Sequence, residues 1–265
     1  MAPRPTAAFF DLDKTIIAKS STMAFSKPFQ AGGLISRRAV LRSTYAQFVY
    51  VVGGADHDQM EKMRQFMSAL CAGWDVATVR EIVAETLHHV VDPLVYDEAV
   101  SLIEEHHLAG RDVVIVSTSG TEVVGPIGEM LGADRVVATR MEIADGRYTG
   151  DIEYYAYAEE KARAIRELAE EVGYDLDRSY AYSDSITDSF MLEAVGHPHA
   201  VNPDKDLRRL AASKGWPVLV FTKPVALQSR MALPPRQTLA VIAVGGVVAV
   251  GSVLWAGARK RRLGA

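Results

Sequence analysis

Residues 8–17 are Ala-Phe-Phe-Asp-Leu-Asp-Lys-Thr-Ile-Ile, and the rest of the chain can be interpreted from them. The apolar run over residues 7–11 predicts a strand buried on both faces, which leads into two carboxylates, Asp11 and Asp13. Strand residues two apart point to one side, so both acids are expected at the strand's carboxyl end, where open parallel α/β sheets bind ligands. Close carboxylates repel, and such pairs persist where a divalent cation or a catalytic proton uses them. The alternative is a solvated turn with an aspartate as helix cap.

Charge is distributed unevenly along the chain. The 265 residues have a formal net charge of −4, but residues 223–265 carry seven basic side chains and no acid, which leaves residues 1–222 at −11. An acidic body argues against general nucleic-acid binding, whereas a basic and apolar tail favours a membrane surface. A single cysteine, Cys71, excludes an internal disulfide, and the amino-terminal residues predict no signal peptide.

The spacing of apolar residues along the sequence changes near Pro93. Before it, residues 36–52, 56–72 and 75–91 have apolar side chains at helical spacing, with Asp75 as a candidate helix cap. After it, strand and helix patterns alternate, which predicts an α/β fold with a doubly wound parallel sheet and an inserted all-helical cap. Strands are expected at residues 111–116, 135–139, 179–182, 199–201 and 217–221, helices at 97–108, 121–131, 159–173, 191–195 and 204–214, and a hairpin over 141–152 that turns at Asp145-Gly146.

The carboxyl-terminal region has a different character. Residues 237–258 are uncharged, and a helix of this length would span about 30 Å, the thickness of the hydrocarbon core. We therefore expect a linker at 223–237, a transmembrane helix at 238–258 and a basic tail at 259–265; a buried core helix is the alternative. The terminal basic residues favour a cytoplasmic tail, but with no export signal in the sequence we expect a single-pass anchor with the catalytic body in the cytoplasm.

Polar side chains follow several of the predicted strands. Carboxyl ends of parallel strands meet at one edge, so these groups are expected to converge. Carboxylates, a hydroxyl and a lysine suit Mg²⁺ and a phosphoryl group, and a carboxylate can act as a nucleophile through an aspartyl-phosphate. Individually, each has an ordinary structural interpretation as a surface lysine or a helix cap. The set comprises Asp11, Asp13, Thr15, Ser117, Thr118, Lys161, Asp184 and Asp188.

Residues 7–221 resemble the haloacid dehalogenase-like phosphohydrolases, in the branch related to phosphoserine phosphatase that has a helical cap after the first strand. The resemblance implies a catalytic core over residues 1–18 and 93–222 and a cap over 19–92. The hairpin region, residues 145–151, also looks like that branch. The matching motifs are Asp11-Leu12-Asp13-Lys14-Thr15, Val116-Ser117, Lys161, and Asp184 with Asp188.

The resemblance also implies a role for each motif residue. Asp11 would be the nucleophile and a Mg²⁺ ligand, and Asp13 the general acid and base, with its backbone carbonyl on the metal. Ser117 and Lys161 would hold the phosphoryl oxygens. Asp184 would bind Mg²⁺, and Asp188, Thr15 and Thr118 would have supporting roles. An acid at Asp13 separates phosphatases from dehalogenases in this superfamily, so halide chemistry is not expected.

One segment departs from the family pattern. Phosphoserine phosphatases have a glutamate shortly after the first motif that binds the substrate amine, but residues 18–22 are Ala-Lys-Ser-Ser-Thr. Phosphoserine is therefore not the expected substrate. The sequence predicts a Mg²⁺-dependent phosphomonoesterase acting on a small phosphorylated compound, for which a lipid-linked ester is one candidate. A phosphotransferase and a catalytically silent membrane-tethered scaffold are the alternatives.

Overall fold

A central sheet organises the protein. The computed structural model describes residues 4–35, 64–65, 68–222 and 224. Within them the strands join into one sheet of order β4-β3-β2-β1-β5-β6-β7, in which β4 runs antiparallel to β3 and all other neighbours are parallel. The strands are β1 (Ala7–Phe10), β2 (Asp112–Gly120), β3 (Arg135–Ala144), β4 (Arg147–Tyr154), β5 (Tyr180–Ser183), β6 (His197–Val201) and β7 (Val218–Leu219).

Helices lie between the strands, as the alternating pattern predicts. Those described are α1 (Ser21–Ala24), α2 (Ser26–Ala31), α3 (Val76–Val91), α4 (Asp97–Leu108), α5 (Thr121–Leu131), α6 (Glu159–Val172), α7 (Ser189–Glu193) and α8 (Lys205–Lys214). The prediction of an α/β fold with a mostly parallel sheet is confirmed.

Strand β1 lies in the middle of the sheet and is buried along its whole length. Phe9 joins an apolar cluster with Ile165 of α6 and Leu207 of α8 on one face. On the other face, the ring of Phe10 stacks on Tyr182 with centroids 4.4 Å apart and meets His106 of α4 edge-on. Both faces of β1 are therefore covered, and Asp11 follows, still buried, at the carboxyl end of the strand.

The described part of the insert after β1 is helical. The chain just before α3 is hydrogen-bonded to the β3–β4 hairpin. Asp75 caps α3, as the sequence predicts, by accepting a 2.9 Å hydrogen bond from the Thr78 amide. Backbone hydrogen bonds then join the chain before α3 to the hairpin tip: Gly73 N to Tyr148 O (2.8 Å), Tyr148 N to Trp74 O (3.1 Å) and Val76 N to Gly146 O (3.0 Å).

Element boundaries agree closely with prediction for α4 and α5, and differ for several strands. Strand β2 runs on to Gly120 instead of ending at residue 116, because Ser117 still pairs with Ala138 of β3 before the register shifts. Strand β6 begins at His197, two residues before its predicted start, because it pairs with β5 from Tyr180 onward. Strand β7 is limited to Val218–Leu219.

Two sets of sequence predictions concern residues that the structure does not describe. The predicted helix at 36–52 lies outside the described residues, and of the helix at 56–72 only residues 64–65 and 68–71 are seen to be helical. The transmembrane segment 238–258, the tail 259–265 and the linker 223–237 apart from Pro224 also lie outside. Among the residues that are described, no helix is both long and apolar enough to cross a membrane.

Candidate active site

Asp11 and Lys161 form a buried ion pair at the carboxyl edge of the sheet. Lys161 Nζ donates to Asp11 Oδ1 at 2.7 Å and to Asp188 Oδ2 at 2.9 Å. All three side chains are almost inaccessible to solvent. They come from the residue after β1, from α6 and from the 3-10 turn Ile186–Asp188, and the fold brings Asp11 and Lys161 together although they are 150 positions apart.

The loop after Asp11 brings the hydroxyl of Thr15 within hydrogen-bond distance of the Asp11 carboxylate. The amides of Ile16 and Ile17 both donate to Leu12 O, which closes a tight turn, and Lys14 within it has a left-handed φ of 62°. The turn places Thr15 back over the strand end, where its hydroxyl donates to Asp11 Oδ2 at 3.3 Å. Both oxygens of the Asp11 carboxylate therefore accept a hydrogen bond.

Asp13 is bound by two serines. Its Oδ1 accepts a 2.8 Å hydrogen bond from the amide of Ser21, the first residue of α1. Its Oδ2 accepts a 3.3 Å hydrogen bond from the hydroxyl of Ser119, near the end of β2. Burial raises the pKa of Asp13 above its usual value, and the hydrogen bonds from Ser21 and Ser119 oppose that rise. The shift favours a carboxyl that carries a proton more readily than a solvated one.

Ser117 and Thr118 lie on β2, beside the end of β1. Ser117 is buried, and its hydroxyl oxygen accepts from the Ser119 amide at 3.2 Å. Thr118 is bound instead to the segment before α6: its hydroxyl donates to Ala156 O at 2.9 Å, and its carbonyl accepts from the Thr139 hydroxyl at 2.6 Å. Ser117 is thus placed as a candidate oxyanion ligand, while Thr118 holds two neighbouring segments together.

Asp184 follows β5 at the same edge. Its carbonyl accepts from the amide of Asp204, the residue that caps α8. Burial raises the pKa of its carboxyl to about 8, and the negative charge of Asp11 adds to the effect. The effect of Asp11 on the pKa of Asp184 indicates that the two carboxylates lie close enough to interact electrostatically.

The pKa values of Asp11 and Lys161 are also displaced. Burial raises the pKa of Asp11 to about 7, against the opposing influence of the Lys161 ammonium. Burial alone would lower the pKa of Lys161, but Asp11 and Asp188 together raise it above its usual value. Lys161 therefore stays charged at neutral pH, and the cluster carries an excess of negative charge when its carboxylates are ionised.

The donor set fits a small divalent cation. Asp11 and Asp184 supply carboxylate oxygens whose ionised forms are disfavoured by burial and by neighbouring carboxylates, and a cation between them would relieve that cost. Among the described residues, no group of three or more His, Cys, Asp or Glu side chains is arranged as a metal site. The predicted ligand set needs only these two carboxylates, because its third protein ligand is the backbone carbonyl of Asp13.

Several residues of the site had no role in the sequence prediction. Ser183 is buried and its hydroxyl donates to Asp188 Oδ2 at 2.7 Å, so Asp188 is held by Ser183 as well as Lys161. Ser21 and Ser119 bind different oxygens of the Asp13 carboxylate. The signal available for Ser183 and Ser119 was their position within the polar runs that follow the strands predicted at 179–182 and 111–116. Ser21 had no distinguishing signal.

The chain is similar to several known proteins. Residues 8–193 match the model of the family described as haloacid dehalogenase-like hydrolase. The chain is 66% identical over 261 residues to the "Inhibition of morphological differentiation protein" of Streptomyces azureus, covering 97% of this chain and 94% of that protein. It is 60% identical over 258 residues to a Mycobacterium tuberculosis protein named as a probable phosphatase, covering 96% and 90%.

More distant similarity reaches the phosphoserine phosphatases and a solved structure. A Mycobacterium tuberculosis phosphoserine phosphatase is 32% identical over 245 residues, covering 92% of this chain and 79% of that protein. The crystal structure of a Bordetella pertussis protein described as having unknown function has a TM-score of 0.72 at 30% identity, covering 82% of this chain and 99% of that chain. With its motif residues assembled at one sheet edge and its family model matched over most of its length, this chain belongs to the haloacid dehalogenase-like hydrolases.

Proposed function

We propose that the protein is a Mg²⁺-dependent phosphomonoester hydrolase that acts through an aspartyl-phosphate on Asp11. Membership of the hydrolase family, with relatives named as a probable phosphatase and a phosphoserine phosphatase, makes the chain a phosphatase enzyme. The observation that carries the finer proposal is the Asp11 carboxylate, buried at the strand end with Lys161 Nζ 2.7 Å from one of its oxygens.

In the first step, an oxygen of Asp11 attacks phosphorus as the ester P–O bond breaks. Asp13, whose raised pKa favours its protonated form, gives its proton to the departing alcohol oxygen. In the second step, ionised Asp13 takes a proton from water as the water oxygen attacks phosphorus. The P–O bond to Asp11 then breaks, which releases phosphate and restores both carboxyl groups.

Positive charge at the site supports both transfers. The charged Lys161 ammonium faces the nucleophile and stabilises oxygens that gain negative charge. The buried hydroxyl of Ser117, on β2, would donate to another of these oxygens. When bound by Asp11, Asp184 and the Asp13 carbonyl, Mg²⁺ would neutralise charge on the phosphoryl oxygens. Asp188 and Ser183 fix Lys161 through the hydrogen bonds described above.

The substrate is proposed to be a small phosphate ester other than phosphoserine. One relative is named phosphoserine phosphatase, but residues 18–22 of this chain contain no carboxylate to meet a substrate amine. In the structure, Ser21 and Thr22 of this segment lie beside Ser119 instead. A substrate without an ammonium group next to the ester fits this environment better.

Membrane anchoring is a separate part of the proposal and rests on the sequence. We infer that residues 238–258 form a single-pass anchor, with the catalytic body in the cytoplasm and a lipid-linked ester as one candidate substrate. The long uncharged segment followed by basic residues 259–262 supports it. Expression of the full chain and of a chain ending at residue 226, followed by membrane fractionation, tests it: the full chain should sediment and the shorter one should not. Release of the full chain by salt alone would contradict the anchor.

Phosphate release by the purified full chain tests the catalytic proposal. We expect hydrolysis of aryl phosphates that depends on Mg²⁺, loss of at least about a thousandfold in Asp11→Asn, and normal activity in the matched control Asp177→Asn, whose side chain is exposed. Incorporation of substrate phosphorus into the wild-type chain, and none into Asp11→Asn, would support the covalent intermediate. Undiminished activity of Asp11→Asn, or no release from a broad ester panel, would refute the proposal.

A further inference from the structure

The hydroxyl of Ser119 belongs to a chain of hydrogen bonds that ends on Asp13. Ser21 Oγ donates to Ser119 Oγ at 2.8 Å, and Ser119 Oγ donates to Asp13 Oδ2 at 3.3 Å. Because a hydroxyl has one proton, the donation from Ser21 leaves the Ser119 proton for Asp13. Thr22 Oγ1 also lies 3.4 Å from Ser119 Oγ, within reach of the same oxygen. The arrangement gives Ser119 a defined direction of donation.

The same serine of the insert also contacts Asp13 directly. The Ser21 amide donates to Asp13 Oδ1 at 2.8 Å, and its side chain is fully buried. Asp13 is therefore held at one oxygen by the first residue of α1 and at the other by a residue near the end of β2. Its orientation depends on the insert and the core together, through contacts between positions up to 106 residues apart.

We propose that Ser119 is a positioning residue that, together with Ser21, orients the Asp13 carboxyl for proton transfer to the leaving group. This inference rests on the proposed function. There, the Asp13 proton moves to the ester oxygen as that oxygen leaves phosphorus, and a carboxylate oxygen of Asp11 bonds to phosphorus. Proton transfer requires the donor within hydrogen-bond reach of the receiving atom, and small displacements lower its rate strongly. Ser119 itself does not touch the reacting atoms.

This role has a signature that ordinary structural damage lacks. A basic alkoxide needs the proton in the transition state, whereas an acidic phenolate can leave with little help. Loss of the Ser119 hydroxyl should therefore slow the hydrolysis of alkyl phosphates much more than that of activated aryl phosphates. The parameter to compare is kcat/KM, because it reports the steps up to the first phosphoryl transfer and excludes breakdown of the aspartyl-phosphate, which is common to all substrates.

The test measures kcat/KM of the full chain with Mg²⁺ over a series of alkyl and aryl phosphates. In Ser119→Ala we expect a loss of about tenfold or more for alkyl esters and less than about threefold for a nitrophenyl ester, with recovery in Ser119→Thr, which retains the hydroxyl. Ser26→Ala is the matched control, because the Ser26 hydroxyl donates to Met23 O in the same part of the insert. In an Asp13→Asn background, Ser119→Ala should cause no additional loss with alkyl esters.

The possible results are distinct. An equal loss with every leaving group, no loss at all, or an additional loss in the Asp13→Asn background would each overturn the positioning role while leaving the phosphatase proposal intact. Failure of the wild-type chain to hydrolyse any ester would instead overturn the proposed function, and the present inference with it. A steeper dependence of kcat/KM on leaving-group basicity in Ser119→Ala, with recovery in Ser119→Thr, would establish the positioning role of Ser119.

Discussion

Lys161 lies 2.7 Å from Asp11 and also reaches Asp188 at 2.9 Å, so a single buried ammonium serves two buried carboxylates. This relationship connects stability with catalysis. Removing one member of a buried ionic cluster leaves uncompensated charge, whereas replacing the complete cluster by neutral groups can cost much less.

The first prediction concerns Lys161→Met. We expect the free energy of unfolding to fall by about 3–5 kcal/mol, because Asp11 and Asp188 would lose their shared partner, and we expect hydrolysis to be lost. Adding Asp188→Asn should restore part of the stability but none of the activity. Urea unfolding and phosphate release measure the two effects, with Lys205→Met on the exposed surface as control. Wild-type stability in Lys161→Met would contradict the described ion pair.

The second prediction concerns cation binding by the folded protein. Mg²⁺ should raise the unfolding midpoint, by about 2.7 kcal/mol in free energy at a hundred times its dissociation constant. Asp184→Asn should remove most of this stabilisation because it deletes one of the two proposed carboxylate ligands. Thermal unfolding with and without Mg²⁺ measures it, and the exposed substitution Asp206→Asn should respond like wild type. An equal response in Asp184→Asn would place the cation elsewhere.

The third prediction is a pH dependence of stability from His106. Burial lowers its pKa to about 4, with the nearby Arg111 charge adding to the effect; its Nε2 lies 2.9 Å from the Tyr182 hydroxyl oxygen. The unfolded state binds the proton more readily than the folded state, so acid lowers the free energy of unfolding. The contribution of neutral His106 to this free energy is complete above the ordinary pKa of 6.5. It is lost as pH falls towards 4, by up to about 1.4 kcal/mol per pH unit.

Chemical unfolding of His106→Gln and of the half-exposed neighbour His107→Gln at several pH values isolates this effect. The raised pKa values of Asp11 and Asp184 give slopes of the opposite sign, because their contribution is lost as pH rises, but these slopes are common to all three proteins. The His106 variant should lose much of the acid-side slope, to which His199, whose pKa burial also lowers, contributes a further share. The His107 variant should keep the slope in full. Parallel curves for all three proteins would disprove the assignment.

The fourth prediction concerns Gly196, where two backbone segments meet. An added Cβ would lie 1.7 Å from the carbonyl oxygen of Asp177 and 2.5 Å from its carbonyl carbon. Gly196→Ala should therefore destabilise the protein by about 1–3 kcal/mol or more, because backbone must move. Gly125→Ala in α5 is the control, since its Cβ would meet nothing within 4 Å and alanine favours the helix by up to about 1 kcal/mol. Similar unfolding midpoints for both variants would be inconsistent with the close approach.

The sequence was sufficient to identify the sheet and the edge that carries the site. The buried first strand and its two acids are a local pattern, and the rule that parallel strands end at one edge then places Asp184 and Ser117 nearby. The capping contact of Asp75 was also local, because it involves the Thr78 amide three residues later. Such features depend on short stretches of chain whose geometry is standard.

The hydroxyl contacts around the acids could not be predicted in the same way. Ser119 meets Asp13 across 106 residues, and Ser21 meets Ser119 across 98. Their meeting depends on how α1 returns over the strand ends, which no periodicity specifies. The contact of Ser183 with Asp188 spans five residues, but it requires the 3-10 turn at Ile186–Asp188, which a pattern of polar residues does not distinguish from a loop.

The hydrogen bonds between residues 73–76 and the hairpin tip at 146–148 have a consequence for how substrate range can change. They tie the chain that enters α3 to the hairpin, so the length of the β3–β4 hairpin fixes where residues 73–76 lie relative to the sheet. A longer or shorter hairpin would therefore shift this part of the insert, while Asp11 and Lys161, which lie after β1 and on α6, would keep their positions. A change in hairpin length could thus alter the range of substrates during evolution without a change in the catalytic residues.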